Sequence, residues 1–80
     1  MIFQDEEHEK LFNKLCEKMP YLDGYHLSLA YLLTMDSVLR HHIGALYDVK
    51  KDVIIFEGLN KPFQTSTSLK TTRLAFNLWN

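Results

Sequence analysis

One cysteine, two prolines and three glycines are all that this 80-residue sequence holds of the residue types that most often staple, break or loosen a small protein. Cys16 has no partner in the chain, which excludes an internal disulfide and the disulfide framework typical of small secreted domains. The three glycines lie far apart, so there is no glycine-rich phosphate loop. Charge of one sign is lacking too: nine basic against ten acidic residues leave a net charge of −1, with no global field to draw the chain onto nucleic acid or an anionic membrane. The longest apolar stretch, residues 27–35, is interrupted by Ser28 and Thr34 and falls well short of the roughly 20 residues that span a bilayer. With no basic and apolar leader at its start, the chain is expected in the reducing cytoplasm, with no membrane segment.

What is present points to a packed domain. Hydrophobic residues make up 46% of the chain and charged residues 24%, which is a globular composition rather than that of a disordered tail. A chain of this length makes one domain, residues 1–80, since either half would be too small to bury a core. It buries only about 60% of its unfolded surface, so its stability must come from packing. Four tyrosines, five phenylalanines and Trp79 supply much apolar area for that purpose. Chains this short are often completed by self-association, and a homodimer is one expectation.

Hydrophobic periodicity gives a mainly α fold, three or four helices around a central apolar one. Asp5 caps a first helix, with Glu6 and Glu7 in its first turn, an apolar stripe of His8, Leu11, Phe12, Leu15 and Met19, and Pro20 preventing continuation. Asp23 caps a second helix to about Met35 that is apolar on nearly every side, and is therefore expected to be wrapped by its neighbours. Asp36 or Ser37 starts a third, with Leu39, His42, Ile43 and Leu46 as its apolar stripe, His42 half-buried on it, and Arg40 and His41 pointing away. Residues 48–52 form a charged connector to Val53-Ile54-Ile55-Phe56, whose β-branched content suits a strand. Residues 1–4 are the one other strand candidate, so a two-stranded ribbon and an irregular extended segment are both open. A loop over residues 57–63 leads to a last helix, with the hydroxyls of Thr65, Ser66, Thr67 and Ser68 as alternative caps and Leu69, Thr72, Phe76 and Trp79 on one face.

Three pieces of the C-terminal half carry a resemblance: Glu57-Gly58-Leu59-Asn60, then Gln64-Thr65, then Thr72-Arg73-Leu74-Ala75-Phe76-Asn77-Leu78-Trp79-Asn80. With Leu29-Ala30-Tyr31-Leu32-Leu33 and the acidic first helix, they make the chain resemble a family of small bacterial and mobile-element proteins of unknown function. Members commonly have tryptophan before the Gln-Thr pair. Phe63 keeps the aromatic anchor at that position and drops the indole donor.

Candidate chemistry is sparse. His41 and His42 are adjacent and point about 100° apart on a helix, so they do not pair on one metal ion. Cys16 with His8 or His26 is the one cysteine–histidine combination, and a half-buried inert thiol accounts for it. The residues most suited to contact a partner or an anion are Lys61, Phe63, Gln64, Thr65, Ser66, Lys70, Arg73 and Trp79, where helix-start hydroxyls lie among cations. Helix capping explains the same hydroxyls without a ligand, and Arg73 is equally suited to pair with an acidic residue of the first helix. Residues 1–40 carry net charge −3 and residues 41–80 net +2, an asymmetry such a pair would explain. Taken together these features predict a binding protein rather than an enzyme, with no cofactor or metal. The expected partner is another protein, and binding of nucleic acid through Lys50, Lys51, Lys61, Lys70 and Arg73 is the alternative.

Overall fold

In a computed structural model, which describes residues 2–79, the chain forms three α-helices, three 3₁₀ turns and one two-stranded hairpin. Helix α1 spans Glu6–Lys18, α2 Gly24–Met35 and α3 Ser66–Trp79. Each begins where a side chain satisfies an otherwise orphaned amide. Asp5 Oδ1 accepts from the His8 amide at 2.7 Å, and Asp23 Oδ1 from the His26 amide at 2.9 Å. At α3, Thr65 Oγ1 accepts from the Ser68 amide at 3.0 Å while Ser68 Oγ accepts from the Thr65 amide at 2.8 Å. Glu6, Glu7 and Glu9 in the first turn of α1 oppose the positive end of its dipole, and the chain leaves the helix at Met19 in an extended conformation.

The third helix expected after Asp36 does not form. Two short 3₁₀ turns, Leu39–His41 and Ile43–Ala45, stand in its place. The Asp36 carboxylate accepts from the amides of Val38 and Leu39 at 2.8 and 3.0 Å, a local alternative to helical pairing, and His42 between the turns is non-helical (φ −134°, ψ 27°). Leu39 and Leu46 still reach the core, but His42 is exposed rather than half-buried. Arg40, expected to point into solvent, is turned inward with only 7% of its side chain exposed.

Strand β1 (Tyr47–Asp48) pairs antiparallel with β2 (Val53–Ile54), with Tyr47 opposite Ile54 and Asp48 opposite Val53. The strand expected over 53–56 thus exists in part, and its partner is the segment directly before the charged connector. Residues 2–4 form no strand, and Met1 lies outside the described residues. The connector is a hairpin loop: Asp48 Oδ1 accepts from the amides of Lys50 and Lys51, and Asp52 closes the turn at φ 56°, a left-handed conformation that Asp tolerates better than most residues.

Helix α2 is central and packs against α1, α3 and the first 3₁₀ turn. Phe12, Leu15 and Met19 of α1, Leu29, Ala30 and Leu33 of α2, Leu39, Leu46 and Tyr47, and Ala75 and Phe76 of α3 form one core. Each fully buried leucine among them contributes about 1.5–3 kcal/mol relative to exposure. Gly58, in the 3₁₀ turn Phe56–Asn60, lies so close to the Ala45 carbonyl oxygen that a Cβ there would be 2.6 Å from it, so only glycine fits. Gln64 then fastens this turn to α3: its Nε2 donates to the Gly58 carbonyl and to Thr72 Oγ1 (3.1 and 3.2 Å), and its Oε1 accepts from Ser68 Oγ at 2.7 Å. As expected, α2 is wrapped by its neighbours on several sides, while the strip through Gly24 and Ser28 faces an open groove.

Candidate functional site

No Asp, Glu, Lys or Arg occurs from Gly24 to Met35, so α2 has no side that water prefers. His26, Leu29, Ala30 and Leu33 turn inward. Gly24, Leu27, Ser28, Tyr31 and Leu32 form the floor of an open groove of about 420 Å³, with Ile2 and the α3 residues Leu74 and Leu78 as its walls. No lining residue is charged. Ile2 is 86% exposed, Leu74 50% and Leu78 45%. Tyr25, 60% exposed, lies one turn before Ser28 and extends the apolar surface. The wall at Ile2 is held in place by the Tyr31 hydroxyl, which donates to the Ile2 carbonyl, and by the Phe3 ring packed on His8 and Phe12. Burial of such a surface is favourable by about 25 cal/mol per Å², which makes the groove a place for an apolar partner rather than for chemistry.

The residues singled out in the sequence do not converge there. Gln64, Thr65 and Ser68 are engaged in the capping network of α3, and Ser66 is its exposed first residue. Phe63 stacks face to face on His42, with ring centroids 4.0 Å apart and planes 3° from parallel. Lys61, Lys70 and Arg73 are exposed. The alternative pair between Arg73 and α1 is not made; Asp5 and Glu7 face Arg40 instead, at 3.4 and 3.8 Å. Trp79 is half-buried, its ring edge-on to His26 (4.8 Å) and Tyr47 (5.8 Å), so it covers the hairpin end of the core.

Beneath Trp79 lies a polar cluster that the sequence did not disclose. His26 Nδ1 meets Asp23 Oδ1 at 2.7 Å, its Nε2 meets both oxygens of Asp52 at 2.9 and 3.0 Å, and the Tyr47 hydroxyl donates to Asp52 Oδ1 at 2.6 Å. Burial works against the imidazolium, but hydrogen bonds and charge from Asp23 and Asp52 outweigh it and raise the His26 pKa. The Tyr47 phenol is pushed upward by burial and by the Asp52 carboxylate. With both ring nitrogens taken, His26 has no lone pair for general-base work. The spacing Asp23-x-x-His26 was the only local signal, since Asp52 arrives from the hairpin 26 residues later.

His8, fully buried, is likewise saturated: Nδ1 accepts from the Gln4 amide and Nε2 lies 3.0 Å from the Tyr31 carbonyl. Burial raises the Cys16 thiol pKa, which disfavours the nucleophilic thiolate. Among the described residues, no helix is long and apolar enough to cross a membrane, and no group of three or more His, Cys, Asp or Glu is arranged to hold a metal ion.

The sequence model of DUF6075, a family of unknown function, matches residues 1–80. The chain belongs to that family. No curated protein and no solved structure matches it. At the level of an uncharacterised family the resemblance holds, and the structure gives several of the quoted residues a physical role. Gly58, Gln64, Thr65 and Thr72 form one interlocked joint between the last 3₁₀ turn and α3. Asn80, the end of the quoted string, lies outside the described residues.

Proposed function

We propose that this protein is a protein-interaction module, a small cytoplasmic regulator or inhibitor of the kind carried by bacterial mobile elements and phages, which works by occupying a partner's surface. The observation that carries the reading is the uncharged groove on α2, walled by Ile2, Leu74 and Leu78, all three at least 45% exposed. Apolar side chains held out of the core around a concave floor are what contiguous interaction surfaces consist of. A binding rather than catalytic role is supported by the saturated nitrogens of His8 and His26 and by the raised pKa of Cys16. Affinity capture with the wild type and with Leu74→Glu/Leu78→Glu tests it. A stoichiometric protein retained by the first and lost by the second is expected; a wild-type protein that is monomeric and retains nothing rejects the reading.

The five basic side chains of the second half, Lys50, Lys51, Lys61, Lys70 and Arg73, are all exposed, which favours nucleic-acid binding as a second reading. Such binding would weaken steeply with salt as neutralised phosphates release counterions, and the absence of any DNA or RNA complex at low salt removes it.

A further inference from the structure

The groove sits on a helix that is apolar all round, and a helix of that composition is normally covered on every side. In one copy of the chain, α1, α3 and the first 3₁₀ turn account for the inward and lateral faces, leaving the face through Gly24 and Ser28 uncovered. Resting on the reading of this groove as a protein-binding surface, we infer that its occupant is a second copy of the chain, joined in a twofold dimer whose axis passes near Ser28.

Three features single out a second copy among apolar occupants. The surface carries its own complement: the ridge of Leu74 and Leu78 stands directly beside a floor whose small residues, Gly24 and Ser28, leave space for a neighbour. Apart from its chain neighbours and its own helical turn, no atom lies within 4 Å of where a Cβ on Gly24 would be, so the floor is open there. A twofold interface requires ridge and hollow on the same patch, because each copy gives and receives the same surface. The exposed apolar side chains also gather here: of the large hydrophobic residues most exposed among the described ones, Ile2 (86%), Leu74 (50%) and Leu78 (45%) line this one groove and Tyr25 (60%) lies a turn from its floor. Finally, the patch is free of charge, so two identical copies meet there without the like-charge repulsion that a charged patch would impose on itself.

Sedimentation equilibrium of the full chain over a range of concentrations tests the inference. A mass of twice the chain is expected for the wild type. Leu74→Glu/Leu78→Glu changes only side chains already near half exposure, and should weaken dimerisation by about 100-fold or more while leaving the helical circular dichroism unchanged. Ser28→Cys in a Cys16→Ser background should cross-link two copies on mild oxidation, and Lys14→Cys on the exposed side of α1 in the same background should not. A wild type that stays monomeric up to its solubility limit overturns the inference, as does a dimer indifferent to Leu74→Glu/Leu78→Glu or one without the Ser28→Cys cross-link. A monomer that loses another protein through Leu74→Glu/Leu78→Glu overturns the dimer alone and leaves the groove as a binding surface; a monomer that binds no protein overturns both.

Discussion

The two ends of α2 are anchored by opposite chemistry. At its C-terminal end the Arg40 guanidinium, 7% exposed, donates to the carbonyls of Thr34 and Met35 at 3.1 and 3.0 Å and reaches Asp5 and Glu7 of α1. A cation at the negative end of a helix dipole is favourable, and a guanidinium holds its charge at any pH a protein survives. At the N-terminal end, where the dipole disfavours a cation, the His26 ring sits in the first turn, its charged form favoured by Asp23 and Asp52. One anchor is permanent and the other titrates, although both join distant parts of the chain to the same helix. Polar groups inside a small core serve the fold only while every partner is present.

The largest effect should come from removing the permanent anchor. Arg40→Met fills a similar volume but strands the last carbonyls of α2, and chemical denaturation should show a loss of about 3 kcal/mol that is the same on both sides of neutrality. At the titrating end, Asp52→Asn removes one carboxylate from His26 and weakens the bond from Tyr47; about 1.5 kcal/mol should be lost in mildly acidic solution, with less lost as the pH rises. An equal loss from Asp52→Asn at every pH would erase the distinction between the two ends.

Without any substitution, the same contrast should appear in the pH dependence of stability. Because the folded-state pKa of His26 is raised above 6.5, its contribution is complete below that value and disappears as pH climbs through the folded pKa. The Asp23 and Asp5 carboxyls are lowered, chiefly by the amides of His26 and His8 that they accept from, so their contributions exist above the ordinary carboxylate range and vanish only in acid. Melting temperature should therefore peak in mildly acidic solution and decline toward alkaline pH, and an NMR titration of the His26 ring should give a midpoint above 6.5. A midpoint below that value would mean that burial prevails over the two carboxylates. The smallest change is expected for Asp23→Asn, which keeps a capping oxygen on an exposed side chain and loses only its charge. Its signature is a shallower alkaline decline, read from the same melting curves.

Features that depend on neighbours along the chain are legible in the sequence. The caps Asp5 and Asp23 act on amides three residues ahead, as does Thr65, one of four hydroxyls the sequence offered for that place, and the stripe from His8 to Met19 follows helical spacing. Features that depend on chain closure are not. Residues 39–46 carry apolar spacing that suits a helix, yet Asp36 offers its oxygen to the next amides and the chain tightens into 3₁₀ turns that bring Leu39 and Leu46 inward all the same. On an ideal helix Arg40 falls on the outer side; in the actual path it folds back over the end of α2. The groove follows the same pattern. Trp79 stands out in the sequence as a terminal aromatic and serves as a cover for His26, whereas Leu74 and Leu78 have the spacing of ordinary helix residues and form the exposed wall.

Though not the 3₁₀ turns that replace a helix after Asp36, the sequence by itself determined the first, second and last helices, a break at Pro20 and an apolar segment over residues 24–35 that had to be central. Local hydrogen bonding and periodicity are enough to encode these, because each involves residues within a turn or two of one another. Only the tertiary structure decided which side of that segment remains open, which strand pairs with Val53–Ile54, and which carboxylates enclose His26. A helix that is apolar on every side carries no pattern to distinguish its faces, so the assignment falls to whatever packs against it. Here α1, α3 and the first 3₁₀ turn cover all but the strip through Gly24 and Ser28.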